Sequence, residues 1–464
     1  MPLNQVAGLR NFLLIWAGQL VSSVGSRLST FALGIWVLRT TGSTTRFAMT
    51  FVAMTIPSLV VSTVAGALVD RWDRRRTMIA CDLLSAATML VLAGLGATGH
   101  LTIWHIYLAV GAGSVCNAFR TPAFAASIPL LATRDQLPRV NGLAQTGNAI
   151  AEIMGPLLAG ALVSSISLRG IVILDALSFV VGVGTLVAAS IPQPVAAARQ
   201  NRGGLLREAM IGWRYVHERP GLMGLLAIYG SNNFLFSIAG VVIAPLLLSF
   251  SDPARVGVQY AISGSGLLLG GIAITAWGGP RKRIHGVLVF WSLAGVCLAA
   301  HGLWPSFTPV AVAGFVLFLM IPVISASNNS LWQAKVPAGL QGRCFAIQRV
   351  LINTATVLGF CLAGPLSEHV FEPLLGRGGP LAGSVGLIIG VGPGRGLGLM
   401  FITLGTLMTL IAITAYSVPA IRQIDELADA FSLPGKAAPA GTGPQAEIAD
   451  GEDRLGALSQ GVRP

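Results

Sequence analysis

Two long apolar runs of this chain are joined by the stretch Gly66-Ala67-Leu68-Val69-Asp70-Arg71-Trp72-Asp73-Arg74-Arg75-Arg76. The runs extend from Phe47 to Ala65 and from Met78 to Ala97, and a helix of about twenty apolar residues is long enough to cross a bilayer. Within the stretch, a glycine and an aspartate precede a dense basic cluster. It therefore predicts a hairpin of two membrane-spanning helices whose basic turn stays on one side of the membrane.

The composition of the whole chain indicates the same lipid environment. Of its 464 residues, 53% are hydrophobic and only 10% are charged, and the mean hydropathy is +0.73, whereas soluble domains carry about 25% charged residues. The formal net charge of +12 does not indicate a nucleic-acid partner, because the basic residues lie in short loops between apolar runs. The cysteines have neither metal-site nor disulfide spacing. We predict no metal and no cofactor.

The apolar pattern predicts an all-α integral membrane protein with twelve transmembrane helices. In lipid every backbone amide needs an internal partner, so long apolar segments form helices. The segments are 12–38, 47–69, 77–98, 102–126, 138–164, 170–190, 221–249, 257–277, 284–303, 309–332, 344–371 and 397–419.

The loops between the segments differ in charge. Lys and Arg concentrate in alternate loops and are sparse in the others; the basic loops lie at 71–76, 134–139, 199–219, 281–283 and 335–343. By the positive-inside rule these loops and both termini are cytoplasmic. We therefore predict a multi-pass protein of the cytoplasmic (inner) membrane.

A polar linker divides the chain into two halves. Residues 1–191 and 221–420 each hold six segments, residues 192–220 join them, and a tail rich in Gly, Ala, Pro and acids occupies 421–464. From 204 to 216 the linker alternates apolar residues and arginines at helical spacing, which favours an amphipathic helix on the inner membrane surface. A solvated linker is the alternative. The tail is expected to be largely disordered.

The two halves repeat one another along the sequence. Ala126-Ser127-Ile128-Pro129 matches Ala334-Lys335-Val336-Pro337. After a slightly shorter second loop, Gly155 matches Gly359 and Ala159-Gly160 matches Ala363-Gly364 in one register. Internal repeats of this kind build many secondary transporters, whose substrate site lies near the midplane between the repeats. The repeat predicts two pseudo-symmetric six-helix halves.

The basic turn resembles the signature loop of the major facilitator superfamily, Gly-x-x-x-Asp-Arg/Lys-x-Gly-Arg/Lys-Arg/Lys. Asp73 stands where that pattern has its second glycine, and the matching residues are Gly66, Asp70, Arg71, Arg74 and Arg75. The resemblance implies a gate in which Asp70 bonds the arginines of its loop and the N-terminus of the eleventh segment near Arg343, where the helix dipole favours negative charge. The alternative is a local Asp–Arg turn in an ordinary positive-inside loop.

Two further stretches resemble one branch of this superfamily, which holds the enterobactin-type siderophore exporters and the macrolide efflux pumps. They are Arg120-Thr121-Pro122-Ala123-Phe124-Ala125-Ala126-Ser127-Ile128-Pro129 and Asn141-Gly142-Leu143. The resemblance extends over all twelve segments and leaves out the tail. It implies a major facilitator fold and transport of small molecules.

The fifth segment resembles the motif of antiporters in the superfamily, Gly-x8-Gly-x3-Gly-Pro-x2-Gly-Gly. Gly142, Gly155, Pro156 and Gly160 match it, and alanine replaces glycine at positions 151 and 159. The match favours export over import. The alternative is helix packing, because small residues allow close approach and a proline bends the helix.

Ionisable residues inside membrane segments are candidates for function, because burying a charge is costly. Arg27 and Glu152 lie midway along the first and fifth segments, which are neighbours in the superfamily. A buried pair there is either a proton-coupling site or a permanent ion pair. Asp82 is a further coupling candidate, although its position about one turn past the basic loop favours pairing with the arginines of that loop. Asp175 is expected to be wet, near the outer end of the sixth segment.

The resemblance implies a central cavity lined by the first, fourth, seventh and tenth segments. Many amides, few charges and several aromatic rings in those segments suit a sizeable amphipathic solute. The candidates for lining this cavity are Gln19, Ser23, Asn117, Arg120, Asn232, Asn233, Asn328, Asn329 and Trp332.

These features together predict a secondary transporter that exports an amphipathic small molecule, such as a drug, a siderophore or another secreted metabolite. Export would occur in exchange for protons by alternating access. An importer or uniporter of the same fold is the runner-up, and a membrane protein without transport activity is a third reading. Because the six histidines are dispersed, we predict no enzyme. The expected partners are the lipid bilayer, a small-molecule substrate and protons, and the expected state is a monomer.

Overall fold

The computed structural model describes residues 3–69, 71–133, 136–163, 165–191 and 205–426. Within these ranges the chain is helical, and twelve helices have 18 or more residues. In chain order the α-helices are α1 Leu3–Thr41, α2 Thr44–Val69, α3 Arg74–Ala97, α4 Ile103–Leu131, α5 Leu137–Leu162, α6 Leu168–Ala188, α7 Leu205–His217, α8 Pro220–Leu248, α9 Pro253–Trp277, α10 Arg283–Ala300, α11 Phe307–Lys335, α12 Ala338–Pro365, α13 Glu372–Leu375, α14 Gly386–Ile389, α15 Arg395–Ser417 and α16 Pro419–Arg422.

The long helices have the dimensions and surface of membrane spans. Ten are long and apolar enough to cross a membrane by length and composition, and the other two, α4 and α5, have 29 and 26 residues. The outer face of the bundle carries exposed apolar side chains; on α3 these are Leu83, Leu84, Leu90 and Val91. Such a surface is stable in hydrocarbon rather than in water. The predicted twelve-helix membrane fold is confirmed.

The principal helix pairs of the first half recur in the second. In the first half α1 packs on α5 and α6, α2 on α4, and α3 on α4 and α6. The equivalent contacts are made by α8 with α12 and α15, α9 with α11, and α10 with α11 and α15. Between the halves, α5 packs on α9 and α12 packs on α2. The predicted pseudo-symmetry is therefore present in the packing as well as in the sequence.

Two glycines that the repeat places in register make equivalent contacts between the halves. A Cβ added to Gly160 of α5 would lie 2.8 Å from the Pro253 carbonyl oxygen and 3.0 Å from the Gly257 Cα, both at the start of α9. A Cβ added to Gly364 of α12 would overlap the backbone of Thr45 at the start of α2. Only glycine allows the backbones to approach so closely. These contacts join the halves at the end of the bundle opposite the termini.

The basic turn is built from side chains that satisfy helix ends. Asp73 caps α3 by accepting a hydrogen bond from the Arg76 amide at 2.9 Å, so it has a local role where the family pattern has glycine. Arg75 donates to the carbonyl oxygens of Leu186 and Val187 at 2.7 and 2.6 Å. These two lie in the last turn of α6, where carbonyls lack partners within the helix. The turn thereby fastens α3 to α6.

Replacing Arg75 with alanine should destabilise the protein, because two helix-end carbonyls lose a charged donor. The expected loss is about 1–2 kcal/mol for partly exposed hydrogen bonds of this kind. Thermal unfolding of the purified protein in detergent measures it. Arg76→Ala is the matched control, since the Arg76 side chain is exposed and only approaches Asp73 at 4.0 Å. An equal effect of both substitutions would contradict the role given to Arg75.

The linker contains the expected helix. Helix α7 spans Leu205–His217 and turns Gly212 and Val216 inward, while Met210 and Trp213 are exposed. A Cβ added to Gly212 would lie 3.1 Å from the Arg343 Cβ, so the helix packs on the start of α12. Its position on a membrane surface stays a prediction. The rest of the linker, 192–204, and the tail from 427 onward lie outside the described residues.

Candidate functional site

A polar cavity of about 630 Å³ lies inside the bundle, against the first half. Helices α1 to α6 form most of its wall, and α12 of the second half contributes Arg349 and Asn353. The wall is rich in hydroxyl groups, and its only aromatic ring is Phe179. The hydroxyl-bearing lining residues are Ser23, Ser26, Ser29, Thr30, Thr55, Ser58, Ser62, Ser85, Thr88, Ser114 and Thr121. The described lining residues of this cavity therefore do not include the several rings expected from the sequence.

Three of the predicted lining residues border this cavity, namely Ser23, Asn117 and Arg120. Gln19 lies behind the wall, where its amide donates to Asp82 at 3.0 Å. The predicted positions in the second half do not border this cavity, and their role in binding stays a prediction. The lining residues of this cavity do not include the predicted Asn232, Asn233, Asn328, Asn329 and Trp332.

Three of the second-half residues have side chains that point into the protein interior rather than into the cavity. Asn232 and Asn328 are buried, and Trp332 lies in the hydrophobic core of that half. The amides of Asn232 and Asn233 donate to backbone carbonyls one turn earlier in their own helix, at 3.1 and 2.7 Å. A polar residue in a predicted lining helix is thus not sufficient evidence that it faces the lumen.

Arg27 of α1 and Glu152 of α5 form an ion pair on the cavity wall. The sequence predicted this pairing, but not its environment. The side chains are 47% and 51% exposed, so the pair is not buried. A glycine allows the approach: a Cβ on Gly155, one turn after Glu152, would overlap Arg27. Whether the pair couples protons or is permanent stays a prediction.

Asp82 does not pair with the arginines of the basic turn, which corrects the prediction. Its carboxylate lies 3.2 Å from the Arg120 guanidinium of α4 and accepts the Gln19 hydrogen bond; the exposed fractions of the two charged side chains are 1% and 12%. Arg74 and Arg75 instead donate to backbone carbonyls of α4 and α6. Asp82 lies two turns into α3, where the helix face turns toward α4 and α6 rather than toward the loop.

Asp175 of α6 is also placed differently from the prediction. Its side chain is 1% exposed, so it is not wet. It accepts a hydrogen bond from the Ser29 hydroxyl of α1, and the Ser178 hydroxyl lies 3.2 Å from its other oxygen. Ser29 and Asp175 both border the cavity. Its position in α6 could be predicted from the sequence, but the rotation that turns the side chain inward could not.

The gate residues are only partly described. Asp70 lies outside the described residues, so its partner is not known. Arg71 is exposed, and no described atom lies within 4 Å of a Cβ added to Gly66. Arg74 donates to the Ala126 carbonyl at 2.8 Å, and Arg343 lies against Gly212 of α7. The gating role of this set stays a prediction.

The residues of the antiporter motif act at helix crossings. Gly155 makes room for Arg27, the Pro156 carbonyl lies 2.5 Å from a Cβ added to Gly257, and Gly160 contacts α9. No described atom lies within 4 Å of a Cβ added to Gly142. Close contacts between helices, as the packing alternative expects, are thus present at three of the four motif residues. Its bearing on the direction of transport is not tested by these contacts.

A polar contact between the halves, absent from the sequence predictions, closes the end of the bundle opposite the termini. Glu368 lies in a π-helical turn, Leu366–Phe371, that continues α12. Its carboxylate accepts hydrogen bonds from the Thr45 amide at 3.0 Å, the Thr45 hydroxyl at 2.6 Å and the Ser43 hydroxyl at 2.8 Å. A carboxylate at the N-terminus of α2 also interacts favourably with the helix dipole. Two features of the sequence could have indicated this contact. Ser43 and Thr45 stand just before one apolar run, and the acidic Glu368 lies inside another.

The comparisons with known proteins agree with this architecture. The family model of the Major Facilitator Superfamily matches residues 15–360. The chain belongs to this superfamily. A bacterial homologue of the human lysosomal transporter spinster, solved in an inward-facing and unoccupied conformation, has the same fold, with a TM-score of 0.67 at 14% identity over 92% of this chain and 98% of that chain. A bacterial homologue of the iron transporter ferroportin gives 0.67 over 88% and 99%.

Two of the relatives within the superfamily are efflux proteins. Macrolide efflux protein A of Streptococcus pyogenes is 26% identical over 418 residues, which cover 89% of this chain and 97% of that protein. The multidrug efflux pump Tap of Mycolicibacterium fortuitum is 24% identical over 428 residues, with the same coverage. The predicted superfamily and its macrolide-efflux branch are confirmed. The superfamily and these relatives indicate a multi-pass membrane transporter and not an enzyme.

Proposed function

We propose that this transporter exports an amphipathic small molecule by proton antiport, through alternating access of a cavity between two halves. The halves are 1–191 and 221–420, joined by the linker 192–220 and followed by a cytoplasmic tail, 421–464. The protein acts as a monomer in the cytoplasmic membrane, with both termini inside the cell. The efflux function of the relatives and the charge of the loops support this direction and orientation.

The observation that carries the proposal is a polar cavity bordered by both halves and sealed at one end by contacts between them. The hydroxyl-rich wall offers hydrogen bonds to a solute, while its apolar residues, such as Leu33, Met54 and Phe179, offer dispersion contacts. Contacts of Glu368 and Gly364 with the start of α2 close the sealed end. Rocking of the halves would separate these contacts and open that end.

Drug accumulation in an efflux-deficient bacterial host tests the proposal. Cells expressing the wild type, Asp70→Asn or the control Glu218→Gln are given macrolides and cationic dyes, with and without a protonophore. We expect the wild type and the control to lower accumulation, and the protonophore and Asp70→Asn to abolish this effect. Glu218 is a suitable control because it is half exposed, lies just after α7, and has Arg214 of α7 as its one ion-pair partner among the described residues.

The pattern of accumulation separates the candidate functions. Higher accumulation in expressing cells would favour the importer or uniporter. If cells with and without the protein accumulate every compound equally, although the folded protein is present in the membrane, the drug-export proposal is contradicted. The remaining candidate within export would then be a metabolite of the native cell, measured inside and outside cells with and without the gene.

Replacing Glu368 with alanine should weaken the sealed end. The closed arrangement loses three hydrogen bonds to a charged acceptor, and we expect a net cost of about 1.5 kcal/mol, which moves the equilibrium roughly tenfold toward separation of the halves. Distances between spin labels at the exposed positions Thr98 and Arg377 would report it. His369→Ala is the control, since His369 is exposed and next in sequence. Unchanged distances would show that Glu368 does not hold the halves together.

A further inference from the structure

The acidic residues of the cavity region differ in how their charge is balanced. In the described part of α1 to α6, Glu152 is paired with Arg27 and Asp82 with Arg120. Asp175 has no Lys or Arg within ion-pairing distance among the described residues. Its polar contacts are the hydroxyls of Ser29 and Ser178.

The Asp175 carboxyl group lies in a tight site between two helices. A Cβ added to Gly25 of α1 would overlap the Ser178 hydroxyl and lie 2.8 Å from the Asp175 Oδ1. The glycine therefore brings α1 against the carboxyl group, and Ser29, one turn further along α1, supplies the hydrogen bond. The side chain is nearly inaccessible, yet it borders the cavity through which water can reach it.

The arginines near this site are each paired with a carboxylate other than that of Asp175. Arg27 precedes Ser29 by two residues on α1 but is engaged by Glu152. Arg120 of α4 borders the same cavity but is engaged by Asp82. Asp82 lies 3.1 Å from a Cβ placed on Gly182 of α6, which is two turns from Asp175. Because Arg120 and Asp82 carry opposite charges side by side, their combined field at Asp175 is that of a dipole rather than of a single cation. Among the described residues, Arg120 acts on Asp175 only from beyond ion-pairing distance and is itself paired with Asp82.

We propose that Asp175 is the residue that binds and releases the transported proton, while the Arg27–Glu152 and Arg120–Asp82 pairs are fixed charges of the wall. The assignment rests on the proton coupling of the proposed function. A buried carboxylate without a cation is costly in a medium of low dielectric, and one proton removes that cost by converting it to a neutral carboxylic acid. Hydration of the site in another conformation would favour the charged form and release the proton to the cavity water.

Infrared difference spectroscopy tests this assignment on the purified full-length protein, without any substrate. When pH is stepped, the carbonyl band of a protonated carboxylic acid should appear in the wild type and in Glu152→Gln, and should be lost in Asp175→Asn. Asparagine keeps the size of the side chain, and unchanged thermal unfolding confirms that the variant is folded. Survival of the band in Asp175→Asn, or its loss in Glu152→Gln alone, would overturn the assignment.

A second variant covers the case in which Asp175→Asn does not fold. In Ser29→Ala the charged carboxylate loses a donor, so the midpoint of the same band should move to higher pH by about one unit, a tenfold change in proton affinity. Thr30→Ala is the control, because Thr30 lines the cavity next to Ser29 without a described bond to Asp175. An unmoved midpoint in Ser29→Ala would contradict the assignment. A midpoint that depends on replacing sodium by choline would identify an alkali-cation site instead.

Transport in liposomes separates this inference from the proposed function. With erythromycin as the probe, a pH gradient should accelerate transport by the wild type and by the control Glu218→Gln, whose residue lies outside the cavity lining. Asp175→Asn should keep exchange of erythromycin at equal pH but lose the acceleration. If the wild type moves no erythromycin while the infrared band still titrates at Asp175, the choice of substrate fails and the proton site stands. If Asp175→Asn keeps its response to the gradient, the proton-coupling role is wrong.

Discussion

Gly364→Ala will keep the two halves from closing at the end of the bundle opposite the termini. The new Cβ would occupy the position of the Thr45 backbone at the start of α2. A backbone atom cannot move aside as the tip of a flexible side chain can, and overpacking of this kind typically costs about 1–3 kcal/mol or more. The closed arrangement should therefore become roughly 5- to 150-fold less populated, and transport that requires it should fall accordingly.

Spin-label distances between Thr98 and Arg377 measure the closure, and erythromycin accumulation measures the transport. The control is Gly240→Ala in α8, also a helical glycine, where no described atom lies within 4 Å of the added Cβ. There alanine should be neutral or stabilising, because it favours a helix over glycine by roughly 1 kcal/mol. Normal closure and transport in Gly364→Ala would contradict the assignment of this crossing as a required contact.

Arg120→Leu will be strongly destabilising, because it leaves the Asp82 carboxylate buried with only the Gln19 amide as a described partner. Breaking a buried pair by removing one partner costs about 3–5 kcal/mol. Denaturant unfolding in detergent should show a loss of that size. The double variant Arg120→Leu, Asp82→Leu should recover much of it, since it leaves no unpaired buried charge.

The double variant also separates the pair from a simple packing effect. If both side chains act independently, the losses of the single variants add, whereas coupled partners give a less-than-additive loss. Arg76→Ala is again the exposed control. An additive double variant would show that Asp82 and Arg120 do not depend on one another, and the fixed-charge role of this pair would then be lost.

The fold and the helix crossings could be predicted largely from the sequence. Lengths of apolar segments fix membrane helices because lipid offers the backbone no hydrogen bonds. The register of Gly160 with Gly364 anticipated two equivalent crossings, since close backbone approach requires glycine whatever surrounds it. The contact of Arg27 with Glu152 was also predictable, because both lie midway along neighbouring helices.

The charged network beyond that pair could not be predicted from linear position. Distance from the basic turn favoured the wrong partner for Asp82, because a residue in a helix contacts whatever its face meets rather than the loop it follows. Asp175 was expected to be exposed to water because its linear position is near the outer end of its segment, which says nothing of the direction of its side chain. In α8 and α11, the rotation of the helices turned Asn232, Asn328 and Trp332 into the protein interior instead of the cavity, which the type of residue does not reveal.

By itself the sequence determined the membrane environment, the twelve helices, their two-fold repeat and the family, because these depend on segment length, apolar content and local motifs. Only the tertiary structure decided which polar groups meet. Glu368 and Thr45 are 323 residues apart, Asp175 and Ser29 are 146 apart, and Arg120 and Asp82 lie on different helices. Such contacts depend on the rotation and crossing of packed helices, which are set by the fit of many side chains together and not by any single stretch.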